Sequence, residues 1–136
     1  MIGEKLRREI VRVLRDGVPG LQLAILFGSH ARGEATSASD VDVAFLAAVS
    51  TTPSLLHAVR QELEAAIGSD VHLVDLRAAS TVFRHEITQQ GEVLHSVGGA
   101  EVEGFLDFAL RDYVRLNEER SGILRDIAER GRVHGR

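Results

Sequence analysis

Two short groups of residues in the first third of the chain have the types and spacing that phosphate and cation chemistry requires. Gly28 and Ser29 follow an apolar run, and Asp40 and Asp42 open a second apolar run. Side chains alternate faces along a strand, so two aspartates two positions apart point the same way. Glycine lets a backbone approach a phosphate closely, and paired carboxylates suit Mg²⁺, which usually shares its ligand shell with substrate phosphates. The pattern predicts a site for phosphoryl or nucleotidyl transfer.

The elements that must position these residues alternate between helices and strands. Apolar periodicity and Gly or Pro breaks define their bounds. The expected strands are 21–27, 40–47, 70–76 and 92–96, and the expected helices are 4–16, 53–66, about 80–90 and about 101–130, with one helical turn near 29–32. This order predicts an α/β (α+β) fold in which a small mixed sheet is flanked by helices.

Length, charge and cysteine content narrow the class of protein. The 136 residues carry a formal net charge of −4 and no cysteine. The length predicts one domain spanning 1–136. Proteins that bind nucleic acid stably usually show a basic face, so the acidic balance favours a small, cation-neutralised ligand or a protein partner. A charged N-terminus and the lack of long apolar runs predict a cytoplasmic protein with no membrane span.

The residues around both groups extend the pattern. They read Gly28-Ser29-His30-Ala31-Arg32-Gly33 and Ser39-Asp40-Val41-Asp42, and 30–39 are the ten residues between Gly-Ser and Asp-x-Asp. This arrangement resembles the minimal nucleotidyltransferases of the DNA polymerase beta-like nucleotidyltransferase superfamily. The resemblance implies a polymerase beta-like fold, Mg²⁺ as the cofactor and ATP as the nucleoside triphosphate substrate.

The resemblance also implies roles for single residues. Gly28, Ser29 and Arg32 would bind the nucleotide. Asp40 and Asp42 would bind metal at the catalytic centre. In the family, a third carboxylate on the next strand completes the site and helps to activate the acceptor hydroxyl.

The third strand departs from the family pattern at His72, which stands where the family has an aspartate. Asp70 lies two positions earlier and shares the face of His72 by strand parity. His72 would act as the catalytic general base, since a neutral imidazole suits that task near pH 7. Alternatively, Asp70 would supply the missing metal-binding carboxylate after a small strand shift, or the site would bind nucleotide with little or no activity. Asp75 has the opposite parity and is expected to be structural or capping.

Stand-alone minimal nucleotidyltransferases of this size resemble antitoxins that are paired with HEPN-domain ribonuclease toxins. The implied activity is transfer of AMP from ATP to a tyrosine hydroxyl of the toxin, which neutralises it. One alternative is a catalytically weakened, nucleotide-binding antitoxin that acts by complex formation. Another is a small-molecule nucleotidyltransferase, although such enzymes usually carry an additional helical domain. The apolar stripe at 102–116 of the last helix could dock the toxin, although packing against the sheet is expected for most of it. The apolar face of this helix comprises Val102, Phe105, Leu106, Ala109, Leu110, Tyr113, Val114 and Leu116.

Overall fold

The structure is a computed structural model that describes residues 3–36 and 38–134. The expected order of helices and strands is confirmed within these ranges, with bounds that differ by a few residues. The elements are α1 (Glu4–Gly17), β1 (Leu21–Phe27), α2 (Gly28–Arg32), β2 (Val41–Ala47), α3 (Pro53–Ile67), β3 (Val71–Asp75), α4 (Thr81–Gln90), β4 (Glu92–Ser96) and α5 (Gly99–His134). Asp40 and Asp70 therefore precede their strands, which begin one residue later than predicted.

The strands form one mixed sheet in the order β3-β2-β1-β4. β1 pairs antiparallel with both β2 and β4, and β2 pairs parallel with β3. The C-terminal end of β1 consequently lies at the same edge as the N-terminal ends of β2 and β3. We call this edge, formed where β1 ends and where β2 and β3 begin, the Asp42 edge.

Helices cover both faces of the sheet. Val41, Val43 and Phe45 of β2 are buried in a core that includes residues of α1 and α3, such as Leu14 and Leu63. The alternate side chains of β2 face a second core, to which α4 and α5 contribute. Its buried members are Leu23, Ile25, Phe27, Ala44, Leu46, Val74, Leu76, Ile87 and Val102. Alternation along β2 thus places the side chain of Asp42 on the face that α4 and α5 partly cover.

Local capping signals set where two of these helices begin. The Thr52 side chain accepts a hydrogen bond from the backbone N–H of Leu55 at 3.2 Å, and Pro53 occupies the first position of α3. The Ser80 hydroxyl accepts in the same way from the N–H of Phe83 at 3.2 Å, where α4 begins. Such caps satisfy N–H groups that the helix itself leaves unpaired.

α5 runs for 36 residues without interruption, from Gly99 to His134, and is longer than the predicted 101–130. Val102 and Ala109 are buried, but Leu110 and Val114 are 42% and 45% exposed, so the packed face is narrower than the predicted apolar face. α4 spans 10 residues and accompanies only the first part of α5. Although α5 is long, neither it nor any other helix in the described ranges is apolar enough to cross a membrane.

Candidate active site

Asp42 lies at the centre of the Asp42 edge. In the β1–β2 register it is the partner of Phe27, and in the β2–β3 register it is the partner of His72. These three residues are therefore level with one another, and their side chains share one face of the sheet. The Asp42 side chain is 21% exposed and that of His72 is 55% exposed. The structure thus places Asp42 of the second strand and His72 of the third strand side by side.

The imidazole of His72 contacts Asp42 and is bordered by two aromatic rings. Its Nδ1 lies 3.3 Å from Asp42 Oδ1. The ring centroid is 6.1 Å from that of Phe27 in an edge-on arrangement, and 6.3 Å from that of Phe83, which is nearly parallel to it. Sequence reasoning missed Phe83, because an aromatic residue near the start of a helix is an ordinary core feature.

Gly28 begins α2 with a positive φ of 72°. A Cβ atom at this position would lie 2.9 Å from Asp42 Cγ and closer still to Oδ2. Only glycine therefore fits between the turn and the carboxylate. The next residue, Ser29, is half-buried, and its carbonyl oxygen accepts the N–H of Glu34 at 2.9 Å, which closes the turn. The Gly-Ser turn and Asp42 consequently form one packed unit.

Arg32 and His30 differ in the solvent exposure of their nitrogen atoms. Arg32 is exposed, and its Nε lies 3.1 Å from Glu34 Oε2. With Phe27, Gly28 and others it lines a cleft of about 190 Å³ between α2 and α4. Both ring nitrogens of His30 are buried and have no hydrogen-bond partner among the described residues. A charged donor is thus available beside the turn at Arg32, whereas the His30 nitrogens are enclosed.

Asp40 and Asp70 lie together, one step before the paired strands. The N–H of Val41 donates to the Asp70 carbonyl oxygen at 2.9 Å, and both aspartates line an open cleft of about 390 Å³ that also includes Glu64. Since Asp42 is level with His72, the strand shift that would bring Asp70 beside Asp42 is absent. Asp70 is therefore placed with Asp40 rather than with Asp42.

Asp75, on the same strand as His72, is placed for a capping contact. Its Oδ1 accepts a hydrogen bond from the backbone N–H of Arg77 at 3.0 Å. It lies level with Phe45, on the opposite face of the sheet from His72. The expected structural character of this side chain agrees with that contact.

The side chains at the Asp42 edge supply part of a metal shell. Within the described ranges, no group of three or more His, Asp or Glu side chains is arranged to hold one metal ion. Asp42 and His72 provide an oxygen and a nitrogen donor, and both side chains are partly exposed. Mg²⁺ is commonly held by one or two carboxylates while substrate phosphates and water complete the shell. The donors at this edge therefore fit a cation that arrives with a nucleotide.

Comparisons with known proteins agree with this geometry. A family model described as polymerase beta, nucleotidyltransferase, matches residues 8–97. The chain is 39% identical over 119 residues to the protein adenylyltransferase MntA of Shewanella oneidensis. The aligned region covers 88% of this chain and 85% of the relative.

Two solved structures are similar over nearly the whole fold. One is a toxin–antitoxin structure with AMP-PNP, with a TM-score of 0.80 and 38% identity over 90% of this chain and 98% of that chain. The other is a tri-AMPylated Shewanella oneidensis HEPN toxin in complex with an MNT antitoxin, with a TM-score of 0.73 and 34% identity over 92% and 98%.

These matches confirm the polymerase beta-like fold and the resemblance based on the Gly-Ser and Asp-x-Asp residues. The family model extends from α1 to β4, so it includes every strand of the sheet and the whole Asp42 edge. The chain belongs to the polymerase beta nucleotidyltransferase family, and within it to the minimal nucleotidyltransferases.

Proposed function

We propose that this chain is an antitoxin that transfers AMP from ATP to a tyrosine hydroxyl of a partner HEPN-domain ribonuclease toxin and thereby neutralises it. The observation that carries the proposal is the 39% identity to a protein adenylyltransferase over 88% of the chain. The similar structures with AMP-PNP and with a tri-AMPylated HEPN toxin support ATP as the donor and the toxin as the acceptor.

The nucleotide would bind across the Asp42 edge. Gly28 and Ser29 offer the turn for the triphosphate, and the guanidinium of Arg32 can donate charge-assisted hydrogen bonds to phosphate oxygens. Asp42, with Asp40 before the same strand, would hold the divalent cation, which the family resemblance predicts to be Mg²⁺. Such a cation, when bound, neutralises charge on the triphosphate and on the leaving oxygen. Asp70, which lies with Asp40 rather than level with Asp42, is not assigned to this shell.

The reaction requires little covalent chemistry from the protein. The tyrosine oxygen attacks the α-phosphorus, the bond from that phosphorus to the α,β-bridging oxygen breaks, and pyrophosphate leaves. The phenol gives up its proton to solvent water as the new phosphate ester forms. Catalysis of such transfers comes mainly from positioning and from electrostatic stabilisation of the phosphoryl group. The packed unit of the Gly-Ser turn and Asp42 serves that purpose, because it fixes the triphosphate site relative to a carboxylate.

A second function, neutralisation of the toxin by complex formation alone, is favoured by one observation. His72 is paired with Asp42 on the strand where the resemblance leads us to expect a third carboxylate, and the described side chains do not form a set of three metal ligands. A site of this kind would bind nucleotide and transfer it slowly.

Labelled ATP separates the two functions. The chain is incubated with radiolabelled ATP, a divalent cation and a purified HEPN toxin from the same genome. Label on the toxin, together with loss of its ribonuclease activity, is expected. Asp42→Asn should abolish labelling, whereas Asp75→Asn should keep it, because Asp75 faces away from the site. A tight complex that inhibits the ribonuclease without label would reject the transferase and support complex formation.

A further inference from the structure

The imidazole of His72 is oriented toward the carboxylate of Asp42 by the surrounding structure. The register makes the two residues direct neighbours on adjacent parallel strands. Phe27 and Phe83 border the ring on two sides, and the rings of these two phenylalanines contact each other edge-to-face at 5.7 Å. The hydroxyl of Ser80 caps the turn of α4 that carries Phe83. Nδ1 is therefore directed at Asp42 by backbone pairing and by aromatic packing.

The separation between the two donor atoms is compatible with shared ligation of one cation as well as with a long hydrogen bond. Nδ1 and Oδ1 are 3.3 Å apart, beyond the usual N–H···O range of about 2.7–3.2 Å. Two adjacent ligands at a right angle, with metal bonds of about 2.0–2.2 Å, lie about 2.8–3.1 Å apart, a few tenths of an ångström closer than these two atoms. The exposed fractions of both side chains leave a path by which a hydrated cation can reach them.

We propose that His72 Nδ1 is a metal ligand beside Asp42, so that the cation site is a mixed nitrogen and oxygen site that favours first-row transition dications over Mg²⁺. The inference rests on the nucleotidyl-transfer site proposed above. Mg²⁺ prefers oxygen ligands, whereas imidazole suits transition metals, whose affinity for such sites follows the Irving–Williams order. The substitution of carboxylate by imidazole in this chain thus changes which cation accompanies the nucleotide.

Mn²⁺ is the probe because it is paramagnetic and takes the coordination of Mg²⁺. Full-length protein, uniformly labelled with ¹⁵N, is mixed with Mn²⁺ and unlabelled α,β-methylene ATP, in which the bond that would break is blocked. Pulsed electron paramagnetic resonance then detects ¹⁵N coupling from a directly bound protein imidazole, while nucleotide nitrogens remain ¹⁴N. The ¹⁵N coupling is expected in the native chain and should vanish in His72→Asp and His72→Ala.

His57 provides the matched control. It lies on α3 and lines an open cleft with Asp40 and His72 at the same end of the sheet. Its Nδ1 is 3.0 Å from a guanidinium nitrogen of Arg60 rather than from a carboxylate. His57→Ala should therefore keep the ¹⁵N coupling. If His57→Ala removes the coupling and His72→Ala does not, the assignment to His72 is wrong.

Competition between cations gives a second readout. Mg²⁺ is titrated against Mn²⁺ bound with α,β-methylene ATP, and free Mn²⁺ is measured from its sharp resonance. His72→Asp should lower the preference for Mn²⁺ over Mg²⁺ by at least about tenfold, the smaller effect seen when metal-site partners are changed. An unchanged preference, with no ¹⁵N coupling in the native chain, overturns the ligand role and leaves His72 available as a base. If Asp42→Asn also leaves Mn²⁺ binding unchanged, the proposed catalytic site itself fails.

Discussion

Replacement of Gly28 by alanine tests whether the turn and the Asp42 carboxylate work as one unit. Gly28 and Gly68 share a φ of +72°, but an added Cβ meets Asp42 at the first position and nothing within 4 Å at the second. An L-residue in this left-handed conformation costs about 1–2 kcal/mol, partly offset by about 0.4–1 kcal/mol from a less flexible unfolded chain. Gly28→Ala and Gly68→Ala should therefore lose similar amounts of stability through backbone strain.

Only Gly28→Ala should also displace the carboxylate. Misplacing the support of a metal ligand typically costs about 10- to 100-fold in affinity, and moving the ligand itself should cost at least as much. Isothermal titration with Mn²⁺ and α,β-methylene ATP measures this loss, and denaturant unfolding measures the strain in both variants. Gly68→Ala should bind as the native chain does. Equal nucleotide affinity in the two variants would refute the packed unit described here.

Three further predictions concern stability and are measured by denaturant or thermal unfolding. Gly91→Ala should cost about 1–3 kcal/mol by overpacking, because its Cβ would lie 2.5 Å from a backbone carbonyl oxygen of α4; a loss below 0.5 kcal/mol (about the size of a surface effect) would contradict this. Ser80→Ala and Thr52→Ala should each lower the free energy of unfolding by about 1 kcal/mol through loss of a helix cap. Only Ser80→Ala should also weaken Mn²⁺ binding. Equal Mn²⁺ binding in both variants would show that α4 does not support the site. The hydrogen bond from Thr81 holds the pKa of Asp112 below its ordinary value of 3.8, so the stabilisation is full above that pH and is lost as the pH falls further. Asp112→Asn should therefore flatten the acid side of the stability profile, and an unchanged profile would argue against the contact.

Much of the sheet follows from local patterns in the chain. The strands at 21–27 and 92–96 were predicted with the observed bounds, because each begins directly after a glycine, at Gly20 and Gly91. Parity alone placed Asp42 on the same face as Asp40, and His72 on the same face as Asp70. What parity lacks is the register between strands, so it left Asp70 and His72 as alternative partners for Asp42. Backbone pairing decides between them, and it depends on the whole sheet rather than on either strand.

Other features depend on packing between distant elements. Phe83 reaches the His72 ring from α4, a contact that no short-range periodicity encodes. Leu110 and Val114 each follow a packed residue of α5, Ala109 and Tyr113, so they lie about 100° further round the helix, outside the packed face. The membership of the family was predictable because it rests on a few residues at a set spacing. The proposed cation preference could not be predicted in this way, since the proposal depends on where one nitrogen atom lies.

The level pairing of Phe27, Asp42 and His72 has a consequence for how such proteins tolerate insertions and deletions. Removing a single residue from β2 would move the side chains beyond the deletion to the opposite face of the sheet. A carboxylate would then point into the apolar core, and a valine would point toward the proposed nucleotide site. The polar sequence that precedes β2 shows no such alternation of apolar and polar residues. Natural variation in length is therefore expected to spare the extended segments, even at positions where almost any apolar side chain would be accepted, and also the connection before β2, whose ten residues set the spacing between Gly-Ser and Asp-x-Asp.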